Sequence, residues 1–183
     1  MDKLAAYVAQ LKRYNEHTNI YSASAYGSLD WHIEGSVGLG QWLADDEGPV
    51  IDWGSGCGLP IVPLAISRPD RPMVAIESKR RKTRFLTQVA HELDIRNLTV
   101  VTQDIAEWAK QNPVMGTVTA KAFKPLPELV GYMMRHHLSP KQLLVPASRA
   151  SWETWRPTLM TMPRYTSRFH QWGAHGVIEV QRS

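Results

Sequence analysis

Asp52 is followed by glycines at 54, 56 and 58 within the stretch VIDWGSGCGLPIVPLAI, residues 50–66. An apolar run ending in an acid, then alternating glycines, then an apolar run opened by proline is the pattern of a strand turning tightly into a helix. Glycine suits such a turn because the backbone must bend sharply and approach a ligand with no Cβ in the way. Glu77 stands 23 positions after Gly54, at the end of a second apolar run. A carboxylate at about that distance accepts hydrogen bonds from ribose hydroxyls in nucleotide-binding Rossmann units. The dinucleotide fingerprint G-x-G-x-x-G would need a glycine at 59, where this chain has Leu59. The acid-x-G-x-G-x-G spacing is instead that of S-adenosylmethionine sites, whose ligand has a ribose and a charged amino-acid tail but no pyrophosphate. S-adenosylmethionine is the expected cofactor, with Asp52, Gly54, Gly56, Gly58 and Glu77 at its site. Either acid alone has a local explanation as a turn or helix cap. Cys57, inside the loop, is expected to fill space, since no base is identifiable beside it.

The elements that must position these residues are regular from residue 50 onward. Strand-like runs fall at 49–53, 73–77, 98–103, 117–122 and 142–146, and helix-like runs at 60–67, 79–94, 104–111, 125–138 and 149–160. Strands alternating with helices imply right-handed crossovers and a mostly parallel sheet covered on both faces. The closing stretch YTSRFHQWGAHGVIEVQRS has two strand-like runs around a Gly-Ala-His-Gly turn, an expected antiparallel hairpin. The expected fold is therefore α/β, a Rossmann-like seven-stranded layout of the class I S-adenosylmethionine-dependent methyltransferase kind, with a terminal hairpin. Ahead of it, Leu4, Val8 and Leu11 recur at helical spacing over 2–14, 15–28 is polar and turn-rich, and a helix is expected over 29–44 despite two glycines. The sequence DDEGP then breaks the chain. We expect 1–48 to be a helical extension packed on a core of 49–183, one domain overall.

Composition excludes several classes. The chain has 183 residues, 43% hydrophobic and 21% charged, enough for one buried core without disulfides or structural metal. A single cysteine leaves no internal disulfide or cysteine-cluster metal site. No apolar run is long enough to span a membrane, and the charged N-terminus lacks the marks of a signal peptide, so a cytoplasmic protein, expected to be monomeric, is anticipated. The net charge of +4 is compatible with an anionic partner. The densest basic run, KRRKTR at 79–84, fits either a solvated helix face or an RNA-facing patch. The seven tryptophans show no regular array and are expected to pack rather than to stack on bases.

The loop and its sequel resemble the RsmG family, also called glucose-inhibited division protein B, bacterial methyltransferases that form 7-methylguanosine in small-subunit (16S) ribosomal RNA. The resembling residues run from VIDWGSGCGLPIVPLAI through IESKRRKTRFLTQVAHEL to VTAKAFKPLPELV, and YNEHTNI and WHIEGSVGL are weakened versions of the family's N-terminal elements. The resemblance implies that Gly54 and Leu59 line the cofactor, that Glu77 and Ser78 hold its ribose end, and that Ile105 and Ala106 meet its adenine. It places Lys121 where the family usually has an arginine, as a cation positioning the reacting groups. On the RNA side it suggests Asn15, Asn19 and His32, with Lys79, Arg80, Arg81 and Lys82 on phosphates. The partner so implied is ribosomal RNA or the small ribosomal subunit, with no metal and no membrane.

The departures cluster away from the cofactor loop. The family's Arg-x-Glu is Asp104-Ile105-Ala106 here, its Lys-Gly is Ala147-Ser148, and the acid of its His-Ile-x-Asp-Ser is Gly35, with Glu34 beside it. These substitutions keep other readings open: a methyltransferase acting on another RNA or a small molecule, or a non-catalytic ribosome- or RNA-binding relative. A nicotinamide-dependent oxidoreductase is disfavoured by Leu59.

Overall fold

The computed structural model describes residues 2–44, 48–113, 115–161 and 165–182. The chain opens with α1 (Lys3–Asn15), whose N-cap Asp2 accepts a hydrogen bond from the N–H of Leu4, and α2 (Leu29–Gly38). It then alternates through β1 (Val50–Trp53), α3 (Ile61–Ser67), β2 (Met73–Glu77), α4 (Arg80–Glu92), β3 (Leu98–Thr102), α5 (Ile105–Gln111), β4 (Thr117–Thr119), α6 (Leu126–Arg135), β5 (Gln142–Pro146) and α7 (Arg149–Met160). The hairpin β6 (Tyr165–Trp172) and β7 (His175–Arg182) closes it, with the positive φ of +53° at Gly173 in the two-residue turn.

Among the described residues these strands form one seven-stranded sheet in the order β3-β2-β1-β4-β5-β7-β6. β1 to β5 are parallel, β7 runs antiparallel to β5, and β6 pairs antiparallel with β7. Side chains alternate across the sheet as the pleat requires. Val50, Ala75 and Leu144 face one core with Tyr7, Leu11, Leu29, Leu64 and Phe85, whereas Ile51, Ile76 and Leu143 face the other with Ile105, Leu129, Met133 and Trp152. α1 to α4 thus cover one face and α5 to α7 the other, so the N-terminal helices share a core with the first crossover helices.

Three expected elements differ in extent. The helix anticipated over 29–44 ends at Gly38 and tightens into a 3₁₀ turn, Leu39–Trp42. The polar segment after α1 contains a 3₁₀ helix, Ala23–Ser28. β4 stops at Thr119 rather than 122, because the chain turns out of the sheet through Ala122 at φ +52°. Of the expected break at DDEGP, residues 45–47 lie outside the described residues.

Gln142 anchors the connection from the N-terminal elements into the sheet. Its Oε1 accepts from Thr117 Oγ1 and the N–H of Ala44, and its Nε2 donates to the carbonyl of Trp42 and, at 2.5 Å, to Glu179 Oε1. Glu179 Oε2 lies 2.7 Å from His170 Nε2, and that ring stacks on Trp42 with centroids 4.0 Å apart. These bonds fix the hairpin against the segment leaving α2. No helix is long and apolar enough to cross a membrane among the described residues.

Candidate active site at the sheet switch point

Strand order reverses between β1 and β4, and ligands of open parallel sheets sit beyond the carboxyl ends of strands at such a point. The loops leaving these two strands face each other there. Gly54 begins the first loop at φ +70°, and a β-carbon on it would stand 2.5 Å from the ring of Phe123 in the second. A cleft of about 260 Å³ opens between them, lined by Gly54, Glu77, Ser78, Asp104, Ile105 and Phe123 among others.

The glycine loop makes few amides available to a ligand. The N–H groups of Gly54 and Ser55 both donate to the carbonyl of Ile76, and that of Gly58 donates to Ser55. The N–H of Gly56 donates to Glu77 Oε2 at 3.1 Å, while Lys79 N–H donates to Oε1 at 2.9 Å. A pyrophosphate would find the N–H groups of Gly54, Ser55, Gly56 and Gly58 engaged and a carboxylate beside it. The arrangement fits a ribose better. An ionised carboxylate has about four acceptor sites, and the two N–H groups leave acceptor capacity for a diol. Lys82 Nζ lies 3.8 Å from Glu77 Oε2, so it faces this cleft.

Asp52 sits behind the loop at the end of β1, 1% exposed. Its Oδ1 accepts from Thr119 Oγ1 at 2.7 Å across the switch point, and its Oδ2 is buried without a partner. Burial raises its pKa to about 7, against the opposing pull of the Thr119 and Ser55 hydrogen bonds and of the Lys121 ammonium.

A second cavity, of about 540 Å³, shares the wall formed by Ala122 and Phe123 with the first. Lys121 lines it, half-buried, and burial lowers its pKa, opposed by Cys57 and Asp52. His32 lines it too, its pKa lowered first by burial and then by Lys121 and His175. Trp31, Trp155, Trp172 and His175 complete much of the wall.

The expected cofactor residues separate into two groups. Gly54, Glu77, Ser78 and Ile105 line the first cleft. Asp52, Leu59 and Ala106 are buried and do not line it: Leu59 packs in the core with Tyr7 and Phe85, and the N–H of Ala106 is engaged by the N-cap carboxylate of Asp104. Gly58, at φ +103°, faces the core, where a β-carbon would stand 2.6 Å from Val62. Gly56 carries its contact through its N–H, and Lys121 belongs to the second cavity.

The expected RNA-side residues also divide. His32 enters the second cavity. Asn15 is engaged within its own segment: its Oδ1 accepts from the N–H groups of Ile20 and Tyr21, and its Nδ2 donates to Tyr21 O and Tyr26 Oη. Asn19 is exposed and its carbonyl accepts from Arg81 Nη2. Lys79, Arg80 and Arg81 are exposed near the start of α4. The sequence reading did not single out Phe123, Asp104, Trp31, Trp155, Trp172 or His175 as site residues. Phe123 was accessible through its place just beyond a parallel strand. The tryptophans and His175 converge from three distant segments and carried no local signal.

The comparisons with known proteins agree with this geometry. The methyltransferase of Geobacter sulfurreducens superposes with a TM-score of 0.62 at 14% identity, covering 100% of this chain and 90% of that one, which establishes the fold. Curated relatives called ribosomal RNA small subunit methyltransferase G include those of Paracoccus denitrificans, 34% identical over 76% of this chain, and Nitrosococcus oceani, 32% identical over 78%. The matched segments span 71% and 65% of those two proteins. The family model described as GidB, rRNA small subunit methyltransferase G, matches residues 1–153, and the chain belongs to that family.

Proposed function

We propose that this protein transfers a methyl group from S-adenosylmethionine to a guanine N7 of small-subunit ribosomal RNA. The observation that carries the reading is the shared wall at Ala122–Phe123, which sets a ribose-sized cleft at the glycine loop, containing Glu77, against an aromatic cavity containing Lys121. The names of the curated relatives support the substrate class.

In this reading Glu77 accepts the ribose hydroxyls, and Ile105 and Phe123 offer apolar surface to the adenine. Bound there, S-adenosylmethionine supplies an electrophilic methyl group on a sulfonium. Guanine N7 already carries an in-plane lone pair, so the chain need supply no general base, only a near-attack geometry at roughly 3–3.5 Å. Lys121 is then a positioning cation at the junction of the two cavities. A dinucleotide cofactor is disfavoured by the engaged N–H groups of Gly54, Ser55, Gly56 and Gly58.

The test is transfer of labelled methyl from S-adenosylmethionine to small-subunit particles and RNA lacking the N7 mark, with Glu77→Ala beside the wild type. Label in 7-methylguanosine, lost in the variant, is expected. Cofactor binding with no labelled RNA would reject the activity and direct attention to other acceptors.

A further inference from the structure

The N-terminal helices carry a surface that the methyl-transfer reading does not use. α1 and α2 both pack on α3. A groove of about 550 Å³ runs between them, lined by Leu4, Ala5 and Val8 of α1 and by Ile33 and Val37 of α2. Leu4 and Val8 are one turn apart, as are Ile33 and Val37, so each helix lends an apolar stripe. Ala5 is exposed, and Leu4, Val8 and Val37 are only half-buried. Apolar side chains exposed singly need no explanation, but a contiguous patch with a polar rim marks an interaction site.

The rim is acidic. Asp2, Asp30 and Glu34 line the groove, and among the described residues no lysine, arginine or histidine does. α2 itself contains no lysine or arginine, in a chain whose net charge is +4. Lys3, next to Asp2 in sequence, donates instead to the carbonyl of Asp94 at 2.9 Å. Helix-end electrostatics account for Asp2, the N-cap of α1, and for Asp30, in the first turn of α2. They do not account for Glu34. It stands mid-helix, one turn from Asp30, a like-charge spacing that disfavours the helix. Its side chain is 77% exposed, with His175 Nε2 3.6 Å from the carboxylate.

The basic run lies at the opposite end of α1, where Tyr14 Oη donates to the carbonyl of Arg81 at 3.1 Å. Charges of opposite sign are thus kept apart along one helix. Phosphates are repelled from the acidic groove, and no aromatic ring lines it for a base to stack on. We propose that the groove docks a segment of a protein partner, one presenting apolar side chains flanked by lysine or arginine. The apolar side chains cover the two stripes, and the cations meet the three carboxylates, which steer the encounter. The partner sits one helix away from the aromatic cavity, because His32, Gly35 and Ser36 on the other face of α2 line that cavity. This docking stands apart from the methyl-transfer reading, and its test does not use methyl transfer.

The experiment uses the full chain and three short, dye-labelled peptides. The first is amphipathic, built of leucine and lysine at helical spacing. The second has serine for each leucine, and the third has glutamate for each lysine. Binding is read by fluorescence anisotropy at physiological salt, and only the first peptide is expected to bind tightly. Asp30→Asn should weaken it about two- to fivefold, the scale of one exposed ion pair. Ala5→Arg places a bulky cation in the groove at an exposed helical position. It should weaken binding about tenfold or more and leave the Tm unchanged. Glu153→Gln, an exposed acid on α7, should leave binding as it is. If no peptide binds, or if Ala5→Arg binds the first peptide like the wild type, the proposal is wrong. If the serine peptide binds equally well, or Glu153→Gln costs as much as Asp30→Asn, the attraction is general charge and the groove is not the site. If the wild type self-associates in analytical ultracentrifugation and Ala5→Arg disperses it, a second copy of the chain is the occupant, which also overturns the proposal.

Discussion

The imidazole of His175 lies so close to Gly35 that a β-carbon on that residue would stand 2.7 Å from Nδ1. One turn further along α2, a β-carbon on Gly38 would stand 2.2 Å from Nε1 of Trp172. The two glycines are three residues apart and therefore share a helix face, onto which the hairpin tip packs. His175 Nε2 is 3.6 Å from Glu34 Oε2 on the same helix. In the resembling family an acid stands at position 35. Here glycine leaves room for the imidazole, which lines the cavity.

Gly38→Ala is expected to destabilise the protein. Trp172 is a large, half-buried ring with little freedom to yield, and overpacking of this kind costs about 1–3 kcal/mol. For a chain of this length each kcal/mol lowers Tm by about 2–4 °C. Thermal unfolding by circular dichroism measures the change, and an unaltered Tm would show that the hairpin tip is not held against α2.

Asp52 predicts a dependence of stability on pH. Its folded pKa, about 7, lies above the ordinary carboxylate value of 3.8, so the native state retains a proton that the unfolded chain has lost. Stability should therefore fall as pH rises from about 4 to about 7, by at most about 1.4 kcal/mol per unit. Asp52→Asn, which keeps an acceptor for Thr119, should remove that slope in the ligand-free protein. Tm measured across this range in both proteins decides it; parallel curves would mean that Asp52 titrates normally.

Lys121 should affect turnover more than binding of the cofactor. It lines the second cavity and the glycine-loop cleft does not include it. Lys121→Met is expected to lower kcat for RNA methylation by about a hundredfold, the scale of a misplaced reacting group, with cofactor affinity little changed. Single-turnover methyl transfer and calorimetric titration together measure the split. Equal loss in both would move Lys121 to the cofactor site.

The basic run at the start of α4 should divide functionally. Arg80 and Arg84 are exposed, whereas Lys82 is drawn toward Glu77. Arg80→Ala and Arg84→Ala should each flatten the log–log salt dependence of RNA binding by about 0.7, the loss of one phosphate contact on a single strand. Lys82→Ala should instead weaken cofactor binding. Filter binding at several salt concentrations, with cofactor titrations alongside, separates the two effects.

Much of the architecture was legible in the sequence because its signals are local. Alternation of apolar strands and amphipathic helices announced the parallel sheet, Asp52-x-Gly54-x-Gly56-x-Gly58 announced the turn at its switch point, and Glu77 followed at the spacing of the next strand end. Local signals were weaker where backbone conformation depended on packing, as at Gly38, where α2 tightens against Trp172, and at Ala122, where β4 leaves the sheet early.

The alternation of strands and helices, the terminal hairpin and a glycine loop spaced for a ribose-bearing ligand are legible along the chain, since each depends on residues within one strand–turn–helix or hairpin unit. Tertiary structure alone decided which way those residues face. It directed Gly58 into the core and Gly54 against Phe123, engaged the loop N–H groups, and buried Asp52 with one oxygen unmatched. It also gathered Trp31, Trp155, Trp172 and His175 into one cavity from segments up to 144 positions apart, Trp31 to His175. Such convergence leaves no periodic trace along the chain, because the contacts arise only when helix and hairpin pack at the edges of the finished sheet.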